Sequence, residues 1–170
     1  DGKNNTGLGK LALASITTGA NNVGVGRSAG GALTTGIQNV LLGQSAGLDL
    51  TIANYSVAIG MEALRTEDVG DRSVAIGYRS LYSQNSDSNN EDTLNVAVGF
   101  QAGYYNVTGK HNTYLGSTAG FGASGNSHSY NTGIGSKSLL VVSTGQYNTS
   151  VGAESGMDIN TGNTNTLMGF

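Results

Sequence analysis

Apolar and polar positions alternate along the chain in a pattern that returns about every 17 residues. Its clearest form is Ser56-Val57-Ala58-Ile59-Gly60, repeated as Ser73-Val74-Ala75-Ile76-Gly77 and as Asn95-Val96-Ala97-Val98-Gly99. Aligned on the closing glycine, the motif recurs at Gly9, Gly26, Gly43, Gly60, Gly77, Gly99, Gly116, Gly135, Gly152 and Gly169. The spacing is 17 residues except for a step of 22 after Gly77 and one of 19 after Gly116. The position before the anchor is always apolar, and the position three before it is Val or Thr in every repeat. β-branched and aliphatic residues two apart predict a short strand with one apolar face. Glycines at the anchor and about ten residues later, the second usually after Thr, predict two turns per repeat. No apolar spacing of three and four sustains a helix, and the period is too short for a strand-helix-strand unit. Each repeat therefore reads as one coil of a parallel β-solenoid, with about ten coils stacked as a single domain over residues 1–170.

The columns of this stack carry definite expectations. The aliphatic column is expected to face inward, so that Val25, Leu42, Ile59, Ile76, Val98, Leu115, Ile134 and Val151 form the coil core, joined by residues such as Val23, Leu33, Val40 and Leu50. The column between the two apolar positions then faces outward. It is mostly small (Gly24, Ala58, Ala75, Ala97, Gly133, Ser150) with larger members at Leu41, Tyr114 and Leu167, and it would let another chain approach closely. Four residues before the anchor stands Asn in eight repeats and Ser in two, which predicts a ladder of stacked amides.

Composition sharpens this picture. Charged residues make up 11% and aromatic residues 6% of the chain, so the core of each coil is thin and stability must come from stacking and from oligomerisation. A net charge of −3 with scattered Lys and Arg argues against a nucleic-acid groove. There is no cysteine, and no apolar run long enough to span a membrane as a helix. Neither a nucleophile elbow nor a zinc-protease or phosphate-loop motif occurs. No enzyme activity and no cofactor are expected. The pattern is already under way at Asn5 and still open at Phe170, which reads as a segment of a longer fibre or as ends that stack on other subunits or flanking domains.

The two long steps mark loop insertions near residues 83–93 and 121–130. Asp87, Glu91 and Asp92 in the first are weak calcium candidates, lacking the glycine and the closing Glu of an EF-hand loop. Otherwise no metal site is expected. The charged turn from Leu64 to Arg72 reads as a solvated outer edge, and His111 and His128 as exposed corner residues. Aromatic residues gather in the later coils. Tyr104, Tyr105, His111, Tyr114, Phe121, His128, Tyr130 and Tyr147 are candidates for contacting a glycan, through ring stacking and hydroxyl hydrogen bonds.

The strands Ser56–Gly60 and Ser73–Gly77, followed by Ala63 or Ser80, resemble the SVAIG repeat of trimeric autotransporter adhesin heads. Later coils, such as Asn131-Thr132-Gly133-Ile134-Gly135 after an upstream Thr-Gly turn, resemble the NTAVG repeats of phage tail fibres. The resemblance covers about residues 5–170. It implies YadA-like left-handed parallel β-rolls set side by side as a homotrimer. The small column at Gly24, Leu41, Ala58, Ala75, Ala97, Tyr114, Gly133, Ser150 and Leu167 is then expected at the trimer axis, and Ala75→Glu is expected to break assembly. The implied function is structural and attachment-related: a virion tail-fibre segment that contacts host-surface glycans or a protein receptor. The alternative is a bacterial adhesin head at the cell surface, and the 17-residue period and absence of a heptad stalk favour the fibre. Both are extracellular. A self-assembling filament subunit and an ice-binding solenoid rank below them.

Overall fold

A computed structural model describes residues 2–89 and 91–170, so Asp1 and Asn90, which belong to the expected lead-in and first insertion, lie outside the described residues. Ten three-residue strands follow one another in chain order: β1 (Thr6–Leu8), β2 (Val23–Val25), β3 (Val40–Leu42), β4 (Val57–Ile59), β5 (Val74–Ile76), β6 (Val96–Val98), β7 (Thr113–Leu115), β8 (Thr132–Ile134), β9 (Thr149–Val151) and β10 (Thr166–Met168). They form one parallel sheet in which each strand pairs only with its sequence neighbours. Register follows the repeat without slippage, as in Val57↔Val74, Ala58↔Ala75 and Ile59↔Ile76. The 22-residue step is absorbed outside the sheet, for Val74 still pairs with Val96. A parallel β-solenoid of about ten coils is therefore the architecture, and the rest of each coil is turns rather than helix.

The strand faces are reversed relative to the sequence expectation. The small column points into the coil: Leu41, Ala58, Ala75, Ala97 and Tyr114 are fully buried, Ser150 and the strand-centre Gly24 and Gly133 are buried, and Leu167 in the last strand is half-buried. The column expected as core points out. Val25, Leu42, Ile59, Ile76, Val98, Ile134 and Val151 are half-buried and Leu115 is exposed. The reason lies in how sharply the chain closes. The residue two after the anchor has positive φ in every full coil, whatever its type, as at Ser28, Glu62 and Lys137. Its neighbour two further on does too, as Leu13, Leu64, Leu81 and Leu139 or as Gly30, Gly47, Gly103 and Gly120. These left-handed residues fold the coil tightly, so the strand centre is small unless a facing glycine makes room for a larger side chain, as for Leu41 and Tyr114.

Leu33 and Leu50 are buried as expected, Val23 and Val40 are half-buried on the outward face, and the rest of the interior is filled by residues outside the aliphatic stripe. Leu13, Leu33, Leu50, Leu64, Leu81, Leu139 and Val142 are buried beside Ala29, Ala46, Ala63, Ala102 and Ala119. Size is exchanged between facing columns, which explains why the fourth position after the anchor holds only Leu or Gly. A side chain on Gly30 or Gly47 would strike Leu41, one on Gly120 would strike Tyr114, and one on Gly103 would strike Leu81 and crowd Tyr114. Where the strand centre is glycine, at Gly24, Leu13 fills the gap. Anchor glycines serve the stacking itself. Gly60 sits at φ 132°, and a Cβ there would lie 2.5 Å from the carbonyl oxygen of Gly77.

The Asn column forms the expected ladder inside the coils. The Asn22 side-chain oxygen accepts from the backbone N–H and side-chain amide of Asn39, at 2.9 and 3.0 Å. The Asn39 amide also donates to the Ala53 carbonyl at 2.8 Å, tying the strand start to the turn that closes the same coil. The same pattern joins Asn95 to Asn112 and Asn131 to Asn148. Ser56 and Ser73 interrupt it, and Ser73 instead bonds Thr93 and Gln84.

The turn from Leu64 to Arg72 is not an outer edge throughout. Glu67 is fully buried and Asp71 nearly so. Glu67 Oε1 accepts from the N–H groups of Asp68, Val69, Gly70 and Ser86, and Oε2 from the Gln84 amide and Ser86 hydroxyl. A carboxylate surrounded by donors replaces the core leucine of other coils and anchors the first insertion. Glu67→Gln turns one of those acceptors into a donor facing donors. It should lower unfolding free energy by about 2–4 kcal/mol, read from the urea midpoint. An unchanged midpoint would mean that backbone water contacts replace the carboxylate.

Candidate binding surface

Repetition puts every column residue one coil above its counterpart, so aromatic residues in one column must stack. Coils that begin at Gly77, Gly99 and Gly116 carry most of them. Tyr82, Tyr104 and Phe121 occupy the fifth position after the anchor and stack with centroid distances of 5.0 and 5.3 Å. Tyr105 meets Tyr104 and Phe121 edge-on. Beside them, in the first position after the anchor, Tyr78 and Phe100 stack at 5.4 Å. Arg79 lies over both Tyr78 and Tyr82, and Arg65 lies over Tyr82 and donates to its hydroxyl at 2.9 Å. Glu62 holds Arg79 with a 2.6 Å hydrogen bond, which raises the guanidinium pKa further. Packing against its neighbours raises the Tyr104 phenol pKa, and Arg79 opposes that rise. This aromatic belt, half-buried for the most part, lies in the coils that the two insertions interrupt.

A second ladder runs along the edge of the outward strand face. His111, Tyr130 and Tyr147 stack at 4.8 Å with interplanar angles of 8° and 6°. Earlier in the same column Arg72 lies over the Tyr55 ring. The expected aromatic candidates thus divide between two separate ladders, with Tyr104, Tyr105 and Phe121 in one and His111, Tyr130 and Tyr147 in the other.

Tyr114 and His128 belong to neither. Both are buried inside the coil stack, where the Tyr114 hydroxyl and His128 Nδ1 lie 2.8 Å apart. Their assignment to a glycan surface, and His128 to an exposed corner, is corrected accordingly: the second insertion folds His128 inward beneath Tyr114, a placement that no local motif marks. Burial pushes the Tyr114 phenol pKa far up and lowers His128 to about 4. His128 Nε2 has no hydrogen-bond partner among the described residues. The folded chain keeps this imidazole neutral while the unfolded chain protonates it below about pH 6.5. Stability should therefore fall as pH drops from about 6.5 to about 4, by on the order of 3 kcal/mol. Urea titrations across that window would show the loss, and His128→Gln should remove its pH-dependent part. A flat profile for the unaltered chain would refute a buried neutral imidazole.

Two of the three calcium candidates are engaged by cations. Asp92 pairs with Arg72, Glu91 pairs with Lys110, and Asp87 bonds the neighbouring Ser88 hydroxyl. Among the described residues, no three acidic, His or Cys side chains are grouped to hold a metal ion. The sequence insertion is acidic, but its partners come from adjacent coils, which linear spacing does not reveal. Tyr78, Tyr82, Phe100, Arg65 and Arg79 are the belt residues that the sequence reading missed. Their signal was present as a coil-to-coil alignment of the first, second and fifth columns after the anchor.

The chain matches no protein-family model, no curated protein and no solved structure.

Proposed function

We propose that this chain is a segment of an extracellular attachment fibre, of the phage tail-fibre kind, built as a side-by-side trimer of left-handed β-solenoids. The observation that carries the reading is the outward aliphatic ladder. From Leu8 through Val25, Leu42, Ile59, Ile76, Val98, Leu115, Ile134 and Val151 to Met168, every strand presents an apolar side chain away from its own core. Val23, Val40, Val57, Val74 and Val96 run parallel to it. A single chain would leave this stripe half-exposed to water along its whole length, and a continuous apolar stripe of that kind marks an interaction surface. Three copies meeting along the stripe cover it. The trimer axis thus moves from the small column to the aliphatic one, and the aromatic belt is left for the host surface. A bacterial adhesin head is the second reading, favoured by the SVAIG strands at Ser56–Gly60 and Ser73–Gly77.

Light scattering at several concentrations tests the assembly. A constant mass of three chains is expected, and a stable monomer would overturn it. A mass that climbs with concentration would point to a filament subunit instead. Binding of the labelled trimer to panels of bacterial and epithelial cells tests attachment and separates the two readings.

A further inference from the structure

We propose that the free face of Phe100 is a stacking subsite for one pyranose ring of a neutral glycan. The inference rests on the attachment reading and names its contact. Stacking within a column consumes ring faces: Tyr104 is covered by Tyr82 on one side and Phe121 on the other, and Tyr130 by His111 and Tyr147. Such rings offer a ligand only edges and hydroxyls. A sugar stacks through its axial C–H face, which needs an open aromatic face, so only a ring at the end of a ladder can serve.

Phe100 is such an end. Tyr78 covers one face at 5.4 Å and 18°. On the other side the column drops to Ser117 in the next coil, and Phe100 is 51% exposed. The column stays small beyond it, with Ser136 and Ala153 in the coils that follow, so at one coil spacing, ~4.8 Å, no ring of this column lies over that face of Phe100. Gln101 follows Phe100 directly, and Ser117 and Thr118 hold the corresponding positions of the next coil, so amide and hydroxyl side chains occupy the neighbouring positions, while Phe121 stands in the same coil as Ser117. An apolar floor with a polar rim matches a ligand that has an apolar face and a hydroxylated edge, which is the chemistry of a pyranose. Arg79 over Tyr78 disfavours a cation at this end of the ladder, and Glu62 offsets the guanidinium, so neither sign of ligand charge is called for. Tyr147 is the comparable end of the second ladder, over Thr164, but it borders the aliphatic face assigned to the trimer axis.

Saturation-transfer NMR on the full chain with lactose, cellotetraose and chitotetraose tests the subsite. Transfer to the axial ring protons of at least one of them is expected. Phe100→Ala should weaken that binding about tenfold or more, and Phe100→Trp should retain it. Ser117→Leu should abolish it by covering the open face of Phe100 without removing a ring, while Tyr147→Ala leaves it unchanged. Circular dichroism and solution mass should match the unaltered chain in every variant. Absence of transfer from all three saccharides, or binding indifferent to both Phe100→Ala and Ser117→Leu, overturns the proposal. Cell binding keeps the two readings apart. Adhesion that survives Phe100→Ala refutes the subsite and leaves attachment standing, whereas an unaltered trimer that adheres to no cell type refutes attachment itself.

Discussion

Ala75→Glu is expected to unfold the solenoid, not to release a folded single chain. Ala75 is fully buried at the centre of β5, stacked between Ala58 and Ala97 in register. Its side chain points into a coil interior already occupied by Leu64 and Leu81. A carboxylate there has to displace packed atoms, which costs about 1–3 kcal/mol, and has to lose its water, which costs several kcal/mol more. Glu67 shows what a buried carboxylate requires in this fold: two oxygens that share six donors. The Ala75 site is lined by alanine and leucine and supplies no comparable set. Total stability of a domain is only about 5–15 kcal/mol. Because each coil is held chiefly by its neighbours, a break at the fifth coil also deprives both flanks of their stacking partners. The expected result is loss of the β signal in circular dichroism, with aggregated or unfolded material on gel filtration. A soluble, folded monomer would instead return Ala75 to a surface between chains.

The contrast between that outcome and the sequence expectation shows what a linear pattern encodes. Period, strand position and register were legible because Val57, Ile59 and their equivalents recur at fixed spacing, and parallel stacking converts a period directly into pairing. The Asn ladder was legible for the same reason. Which face turns inward was not. Alternation separates two faces without labelling them, and the usual rule that the more apolar face is the core fails when the enclosed space is too small for it. The information that decides the matter sits elsewhere, in left-handed turn residues such as Ser28, Glu62 and Leu64, whose φ values no residue type announces. Glycine at Gly30, Gly47, Gly103 and Gly120 looked like turn chemistry alone, yet it also makes room for Leu41 and Tyr114. Candidate site residues divided along the same line. Aromatics on outward columns fell into ladders that column alignment could have drawn. Tyr114 and His128 met through an insertion, and the partners of Glu91 and Asp92 came from other coils, so sequence proximity misled in both cases.

On the opposite face, Ile59→Glu combined with Ile76→Glu should leave the coil folded and dissolve the assembly. Both side chains project from adjacent strands, paired in register, away from the coil interior. Both side chains lie outside the packing of Ala58 and Ala75, so the intrachain cost is the partial burial each half-buried isoleucine has in its own chain plus the repulsion of two carboxylates paired in register, on the order of 1–2 kcal/mol in all. The cost to a trimer is far larger. Each isoleucine withdrawn from an interface forfeits about 1.5–3 kcal/mol of apolar burial, and two per chain in three chains remove six. The introduced carboxylates would also converge on one axis, where like charges in a desolvated setting repel strongly. The expected product has the circular dichroism spectrum of the unaltered chain, the mass of a single chain by light scattering, and a lower, concentration-independent melting temperature. Ala75→Glu and this double variant therefore act in opposite ways, one destroying the coil and the other only the contact between coils of different chains. If the double variant keeps the mass of three chains, the aliphatic ladder is not the trimer axis, and the stripe must be covered by some other partner.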